Sequence, residues 1–320
     1  MAFTAYYYFV QVLFVLGLCV LGADSLSVST AILVRVDQSG KGDYTKIQDA
    51  IDAVPSKNSE LVEKVTVDKP FITISGTKAS TTIVTWNDTG EIFESPTFSV
   101  LASDFVARYL TIQNTYGSSG KAVALRVSAD RAAFYGCRIT SYQDTLLDDT
   151  GRHYYSNCYI EGGTDFICGN AASLFEKCHL HSLAEGTGAI TAQRRMSPSE
   201  DTGFAFLGCT VSGVRTALLG RPWGPYSKVV FAFTYMSDVI LPEGWEDWGD
   251  EVKHKTVYFG QYKCYGPGAR ISKRVEWAHN NLTSEEAAPF LTKDLIDGKA
   301  WIRPTPSKFK RASKIINGGR

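Results

Sequence analysis

Two short acidic phrases, Gln143-Asp144-Thr145 and Thr164-Asp165-Phe166, carry the most chemistry-bearing pattern in the chain. The two aspartates stand 21 residues apart, and Cys137, Cys158 and Cys178 nearby keep steps of 21 and 20. A shared period near 20 points to a coiled repeat in which a residue stacks on its counterpart one turn later. Neighbouring rungs of a sheet lie about 4.8 Å apart. Asp144 and Asp165 would then converge on one spot. A carboxylate pair at that spacing can split its two pKa values, leaving one group anionic and one able to carry a proton. Arg221, in Leu219-Gly-Arg-Pro-Trp223, could hold one of them ionised. Asp148 and Asp149 lie close by, so pattern alone does not choose among the carboxylates. The competing account is that Asp144 and Asp165 are turn residues at strand ends.

Other machinery is absent from the sequence. It has no Gly-x-Ser-x-Gly elbow, no His-Glu-x-x-His and no phosphate-binding Gly-Lys-Ser/Thr loop. Its five histidines show no ligand spacing beyond His179-x-His181, and no metal site is expected. Lys plus Arg and Asp plus Glu both number 33, giving zero net charge, which argues against a nucleic-acid partner.

The elements that must position the pair are short strands. Arg108-Tyr-Leu-Thr-Ile-Gln, Tyr135-Gly-Cys-Arg-Ile-Thr, Ser156-Asn-Cys-Tyr-Ile-Glu, Glu176-Lys-Cys-His-Leu-His and Leu207-Gly-Cys-Thr-Val-Ser repeat one template of alternating apolar residues. Five matches support a parallel β-helix, a single-stranded all-β solenoid in which each coil packs only on its neighbours. Short helices are expected as caps. Asp43–Pro55 carries Thr45 with Gln48 as a capping box ahead of Ile47, Ala50, Ile51 and Val54. Thr283 with Glu286 forms a second. Cys137, Cys158 and Cys178 read as stacked inward positions where a thiol acts as a small hydrophobe, with a bridge between rungs left open.

Tyr6–Gly22 is apolar apart from Gln11 and precedes Ala23-Asp24-Ser25. It reads as a secretory signal over residues 1–23, too short for a membrane span, ahead of a domain at 24–320. The mature chain is then expected to be extracellular and free of membrane. Asn87-Asp-Thr and Asn281-Leu-Thr are glycosylation sequons in that setting.

Gln143-Asp-Thr-Leu146, Asp165-Phe-Ile-Cys-Gly169 and Leu219-Gly-Arg-Pro-Trp223 follow Ala122-Val-Ala-Leu-Arg-Val127 in order. With these motifs the chain resembles the plant pectin methylesterases over roughly residues 33–303, in a short form without an N-terminal inhibitor-like region. The resemblance implies a right-handed parallel β-helix that hydrolyses galacturonate methyl esters in cell-wall pectin, without a cofactor. It implies Asp165 as nucleophile, Asp144 as general acid and then base, Arg221 orienting Asp165, and Gln143 donating to the oxyanion. Trp223 would pack on the sugar chain, with Trp245, Cys168 and Lys121 also lining the substrate site. It implies methyl-esterified homogalacturonan as substrate, a proteinaceous pectinesterase inhibitor as partner, a secreted monomer, and the plant cell wall as its place. The alternatives are a catalytically weak pectin-binding β-helix and a polygalacturonate glycosidase.

Three departures from the family stand out. Lys121 replaces a glutamine, and its charge is expected to lower the pKa of Asp144. Cys168 and Leu147 replace aromatics. Between Pro55 and Val65 about one strand is missing, which predicts irregular pairing from Ser59 to Thr66.

Overall fold

The repeated template becomes one face of a three-sided stack. In the computed structural model, which describes residues 9–15, 31–37, 40–52, 64–184, 188–302 and 309–311, three sheets run side by side along one axis. We call them A, B and C. Each coil visits B, then A, then C. Sheet C holds the template strands Thr111–Asn114, Arg138–Thr140, Tyr159–Gly162, His179–Ser182 and Thr210–Gly213, flanked by Ile83–Trp86 and Tyr235–Met236. Their inward residues stack in register as Val84, Ile112, Ile139, Ile160, Leu180, Val211 and Met236. A one-residue slip would turn every one of these to solvent, so the alternation itself fixes the register.

Sheet B comprises Val65–Val67, Phe98–Val100, Leu125–Ser128, Leu146–Thr150, Ile167–Gly169, Gly188–Gln193 and Ala217–Pro222, all parallel. Sheet A has eleven strands among the described residues and contributes the bulkiest interior. Phe134, Tyr155, Phe175, Phe206 and Phe231 lie in register there, with centroids 4.4–4.9 Å apart and planes within 15° of parallel. Phe231 then meets Trp245, which stacks on Phe259 at 4.7 Å. A right-handed parallel β-helix results.

The corner from sheet A to sheet C is the most regular feature. One residue per coil adopts left-handed backbone: Tyr109, Gly136, Asn157, Lys177, Gly208, Phe233 and Lys263, with φ between 48° and 62°. Each of the first six donates its N–H to a carbonyl of the next coil at 2.9–3.0 Å. Beneath them sit Leu110, Cys137, Cys158, Cys178, Cys209, Thr234 and Cys264. The thiols are free, and those of Cys158, Cys178, Cys209 and Cys264 each reach a carbonyl of the preceding coil at 3.2–3.5 Å. The cysteines are therefore core-fillers, and no disulfide forms among the described residues.

The helix Ile47–Asp52 covers one end of the stack, burying Ala50 and Ile51. The capping box expected at Thr45 and Gln48 is replaced by another use of Gln48. Its side chain accepts from the Thr66 N–H at 2.9 Å and donates to Asp52. It thereby satisfies an edge strand that would otherwise face water. The second capping box is present at Thr283 and Glu286. The segments Ser284–Ala287, Lys293–Ile296 and Gly298–Trp301 lie over the outer face of sheet A, where Ala287, Phe290 and Ile296 pack on Ala133, Tyr154 and Leu174.

The shortened first coil has a definite form. Val65–Val67 pairs in register with Phe98–Val100, so no irregularity occurs there; Ser59–Glu63 lie outside the described residues. In sheet A, Phe9–Val15 lies between Ala31–Asp37 and Ile72–Gly76, antiparallel to both, in a sheet otherwise parallel. No helix among the described residues is long and apolar enough to cross a membrane.

Candidate active site

The site is built at the corner where sheet C passes to sheet B. Lys121, Gln143 and Thr164 form successive parallel bridges there. Asp144 and Asp165 each stand two residues before a residue of the in-register pair Leu146 and Ile167. They therefore occupy equivalent places on neighbouring rungs, about 4.8 Å apart along the stack. Both have left-handed backbone, φ 57° and 47°, a conformation that aspartate tolerates better than most residues. Their amides donate to the Thr164 and Ala189 carbonyls at 3.2 and 2.7 Å, which fixes the turns. Both side chains are nearly buried, 7% and 5% exposed.

The two carboxylates differ in their partners. Arg221 grips Asp165 with a two-pronged fork, Nε to Oδ1 at 2.8 Å and Nη2 to Oδ2 at 2.5 Å. Such a fork favours the anion. Burial raises the Asp165 pKa on balance, and the Arg221 fork and charge offset only part of that rise. Asp144 has no such fork. Burial, and then the charge of Asp165, push its pKa to about 7, against smaller opposing pulls from Lys121 and Arg221. One carboxylate is thus braced as an anion beside another that can hold a proton near neutrality. The expected sign of the Lys121 effect is present: its charge lowers the Asp144 pKa. Neither the Lys121 ammonium nor the Gln143 amide makes a side-chain hydrogen bond to a described residue.

The outer face of sheet B forms the cleft floor. Arg126, Leu147, Cys168, Ala192 and Arg221 lie in one row across five strands. Leu147, Cys168 and Ala192, with Ile92 and Val123, form an apolar patch against which Trp223 packs. Cys168 is 2% exposed, and burial holds its thiol protonated, so it serves as floor and is no reactive group.

Trp245 is a correction. It is 1% exposed and packs between Phe231 and Phe259 in the core, so it offers no face to a sugar. Trp248 stands at the cleft instead, 40% exposed, with the Arg221 guanidinium 3.9 Å from its ring centroid. The two tryptophans stand three residues apart in a loop between coils, where no periodicity tells inward from outward.

The structure also sorts the remaining carboxylates. Asp148 points into the stack, fully buried, and accepts from Tyr155 Oη at 2.6 Å and from Ser173 Oγ. His153 Nδ1 lies 2.6 Å from Asp148 and Nε2 lies 2.8 Å from the Ala129 carbonyl. Both neighbours are acceptors, so both ring nitrogens must carry hydrogen. Burial opposes that charge, but Asp148 and the carbonyl outweigh it and raise the His153 pKa. Asp149 points outward, to Ser128, Arg126 and Arg194. His179 and His181 share Ser212 Oγ at 2.7 and 2.8 Å on the outer face of sheet C. No described cluster of three or more His, Cys, Asp or Glu could hold a metal ion.

Fold and site together define a parallel β-helix that carries two stacked carboxylates at one corner. Residues 33–299 match the family described as Pectinesterase. The chain is 59% identical over 305 residues to the Arabidopsis thaliana protein named "Putative pectinesterase 11", covering 91% of this chain and 86% of that one. It is 40% identical over 300 residues to Arabidopsis thaliana "Pectinesterase QRT1", covering 85% and 79%. The solved structure of a pectin methylesterase from carrot superposes with a TM-score of 0.78 at 32% identity, over 84% of this chain and 95% of that one. The chain belongs to the pectinesterase family and is an enzyme of that class.

Proposed function

We propose that this enzyme releases methanol from galacturonate methyl esters of pectin through a covalent intermediate on Asp165. The observation that carries the reading is the unequal pair: Asp165 forked by Arg221, and Asp144 one rung away with its pKa near 7. The Asp165 carboxylate attacks the ester carbonyl. The oxyanion that forms takes a hydrogen bond from the Gln143 amide. Asp144 gives its proton to the departing methoxy oxygen, and methanol leaves. The Asp144 carboxylate then takes a proton from water as that water attacks the acyl–Asp165 bond. Asp165 is regenerated and the sugar keeps a free carboxylate. Trp223 and Trp248 flank the polymer, and Lys121 and Cys168 complete the wall and floor.

The same reading makes residues 1–23 a secretory leader, 24–320 the catalytic domain, and the cell wall its destination, as a monomer open to a proteinaceous inhibitor. Asn87 and Asn281 are both exposed, as glycan acceptors must be. Phe9–Val15 falls inside that leader, so cleavage would withdraw one strand from sheet A. N-terminal sequencing of the secreted protein decides whether it is lost.

Methanol and new reducing ends, measured side by side on methylated homogalacturonan, test the reaction. Methanol without reducing ends is expected. Reducing ends without methanol would instead make it a glycosidase, for which carboxylates near 5 Å apart also suit a retaining mechanism.

A further inference from the structure

Around the corner from the cleft floor, the outer face of sheet C gathers two histidines on one hydroxyl. His179 and His181 alternate with the buried Leu180 on the strand His179–Ser182, so both rings point outward. His179 Nε2 lies 2.7 Å from Ser212 Oγ, and His181 Nδ1 lies 2.8 Å from the same atom. Ser212 stands opposite His181 on the neighbouring strand, in register. On the other flank Tyr159 stands opposite His179. Its ring meets His179 edge-on at 5.2 Å and lies 6.0 Å from His181. Arg138 in turn lies 4.1 Å from the Tyr159 centroid, and the Tyr159 hydroxyl donates to Glu161. Neighbours on both flanks thus hold the two rings, which would otherwise cost entropy to order.

The shared hydroxyl is what singles out the pair. It has one proton, which can satisfy the lone pair of only one ring. The other ring must turn an N–H toward Ser212. Shifting that proton to the ring's outer nitrogen leaves two inner lone pairs aimed at one point. A neutral imidazole with a free lone pair is the form that binds metals. Both inner nitrogens already lie within hydrogen-bond reach of one oxygen. A small turn of either ring brings them to the ~2.1 Å that a nitrogen–metal bond needs, about one ion seated beside Ser212. Burial, and then the charges of His181 and Arg138, hold the His179 pKa below the ordinary histidine value, which favours the neutral ring.

The donor set says which ion. Two imidazole nitrogens and a hydroxyl suit the late first-row metals, whereas calcium and magnesium seek clusters of oxygen ligands. Glu161, in register with His181, adds a negative charge beside the pair, against the positive charge of Arg138 one strand further. Among the described residues no third His, Cys, Asp or Glu completes a metal cluster with them, so water would fill the remaining positions. Copper(II) stands highest in affinity for such nitrogen and oxygen donors, and it accepts them in a tetragonal plane. We propose that His179 and His181, with Ser212 beside them, form an exchangeable surface chelate for copper(II), with nickel(II) and zinc(II) binding more weakly. The site stands apart from the pectinesterase reading, because it lies on sheet C and shares no residue with the acid pair or the cleft.

The test titrates copper(II) alone, in a weakly coordinating buffer, into the wild type, His179→Ala, His181→Ala, the double variant and Ser212→Ala. Calorimetry reads the affinity, and electron paramagnetic resonance reads the ligands from the nitrogen splitting of the copper signal. The wild type should show a leading site with two imidazole nitrogens. Either single histidine variant should weaken that site about 100-fold or more and lose one nitrogen from the spectrum, a larger effect than outer-shell partners give. Ser212→Ala should keep both nitrogens and weaken binding about tenfold. Nickel(II) and zinc(II) should compete with copper(II), and calcium should not. All three histidine variants change half-buried outer-face side chains, so their melting temperatures without metal should stay close to that of the wild type. A double variant that binds copper(II) with the wild type's affinity and spectrum would overturn the site. So would a wild-type spectrum with fewer than two nitrogens.

Discussion

Two corners of this β-helix use the same strained backbone for different ends. At the corner from sheet A to sheet C, left-handed φ recurs once per coil at Tyr109, Gly136, Asn157, Lys177, Gly208, Phe233 and Lys263. The residue types are indifferent, because the corner needs only a turn and a hydrogen bond to the next coil. At the corner from sheet C to sheet B, left-handed φ falls on Asp144 and Asp165. There the turn throws two carboxylates together over the cleft. A non-glycine residue in this conformation costs on the order of 1 kcal/mol. Repetition makes that cost structural in the first corner; in the second it serves to aim two acids.

The sharpest break between the corners should come from Asp165→Asn. Asparagine accepts the left-handed turn, so the melting temperature should barely move. Methanol release should fall by about 10⁴-fold or more, as losing a nucleophile does elsewhere. A variant that keeps a tenth of the activity would remove Asp165 from the role of nucleophile. Next is Asp144→Asn, with an expected loss of about 10²–10⁴-fold. It carries an opposite effect on stability. Asp144 has a folded pKa near 7, raised from 3.8, so the folded state binds the extra proton and loses stability as pH climbs between those values. Removing the charge should stabilise the protein at pH 8 by about 2–4 kcal/mol. Equal melting temperatures at pH 8 would show that the cleft hydrates Asp144 fully.

Smaller effects probe the structural corner. Lys177→Gly keeps the turn and relieves its strain, so we expect a gain of up to about 1 kcal/mol and unchanged kcat/KM. A loss of stability would mean that the Lys177 side chain, rather than its backbone, matters. The smallest expected change is for Lys121→Gln. Removing the cation raises the Asp144 pKa, so the proton needed by methanol is retained to higher pH. The upper limb of kcat/KM against pH should move upward at low salt and hardly at all at high salt.

What the sequence disclosed follows the same division. The A-to-C corner and the strands of sheet C were legible because Cys137, Cys158, Cys178 and Cys209 mark the same inward place coil after coil. The acid pair was legible as stacked residues, and Arg221 as a candidate brace. Periodicity said nothing about residues in loops between coils. Trp245 was therefore assigned to the substrate although it is buried, and which of Asp148 and Asp149 faces inward depended on an irregularity in strand pairing between Asp148 and Thr150. The Arg126, Asp149 and Arg194 bridge joins three different coils. Nothing in a linear pattern marks such a meeting. Gln48 shows another limit: the helix was readable, but its side chain was drawn to an edge strand by tertiary contact.

The column of rings inside sheet A has an optical consequence. Phe134, Tyr155, Phe175, Phe206 and Phe231 stack face to face and end on Trp245, an indole sealed from water. Trp248 is exposed and lies beside Arg221. The two indoles should emit at distinct wavelengths, Trp245 to the blue and Trp248 to the red. A quencher dissolved in water reaches only the second. Pectin seated in the cleft should shield Trp248 and leave Trp245 unaltered. Opening of the coils near the C-terminal end should shift Trp245 to the red. With the other four tryptophans replaced by phenylalanine, one molecule carries separate fluorescent reporters of occupancy and of coil integrity.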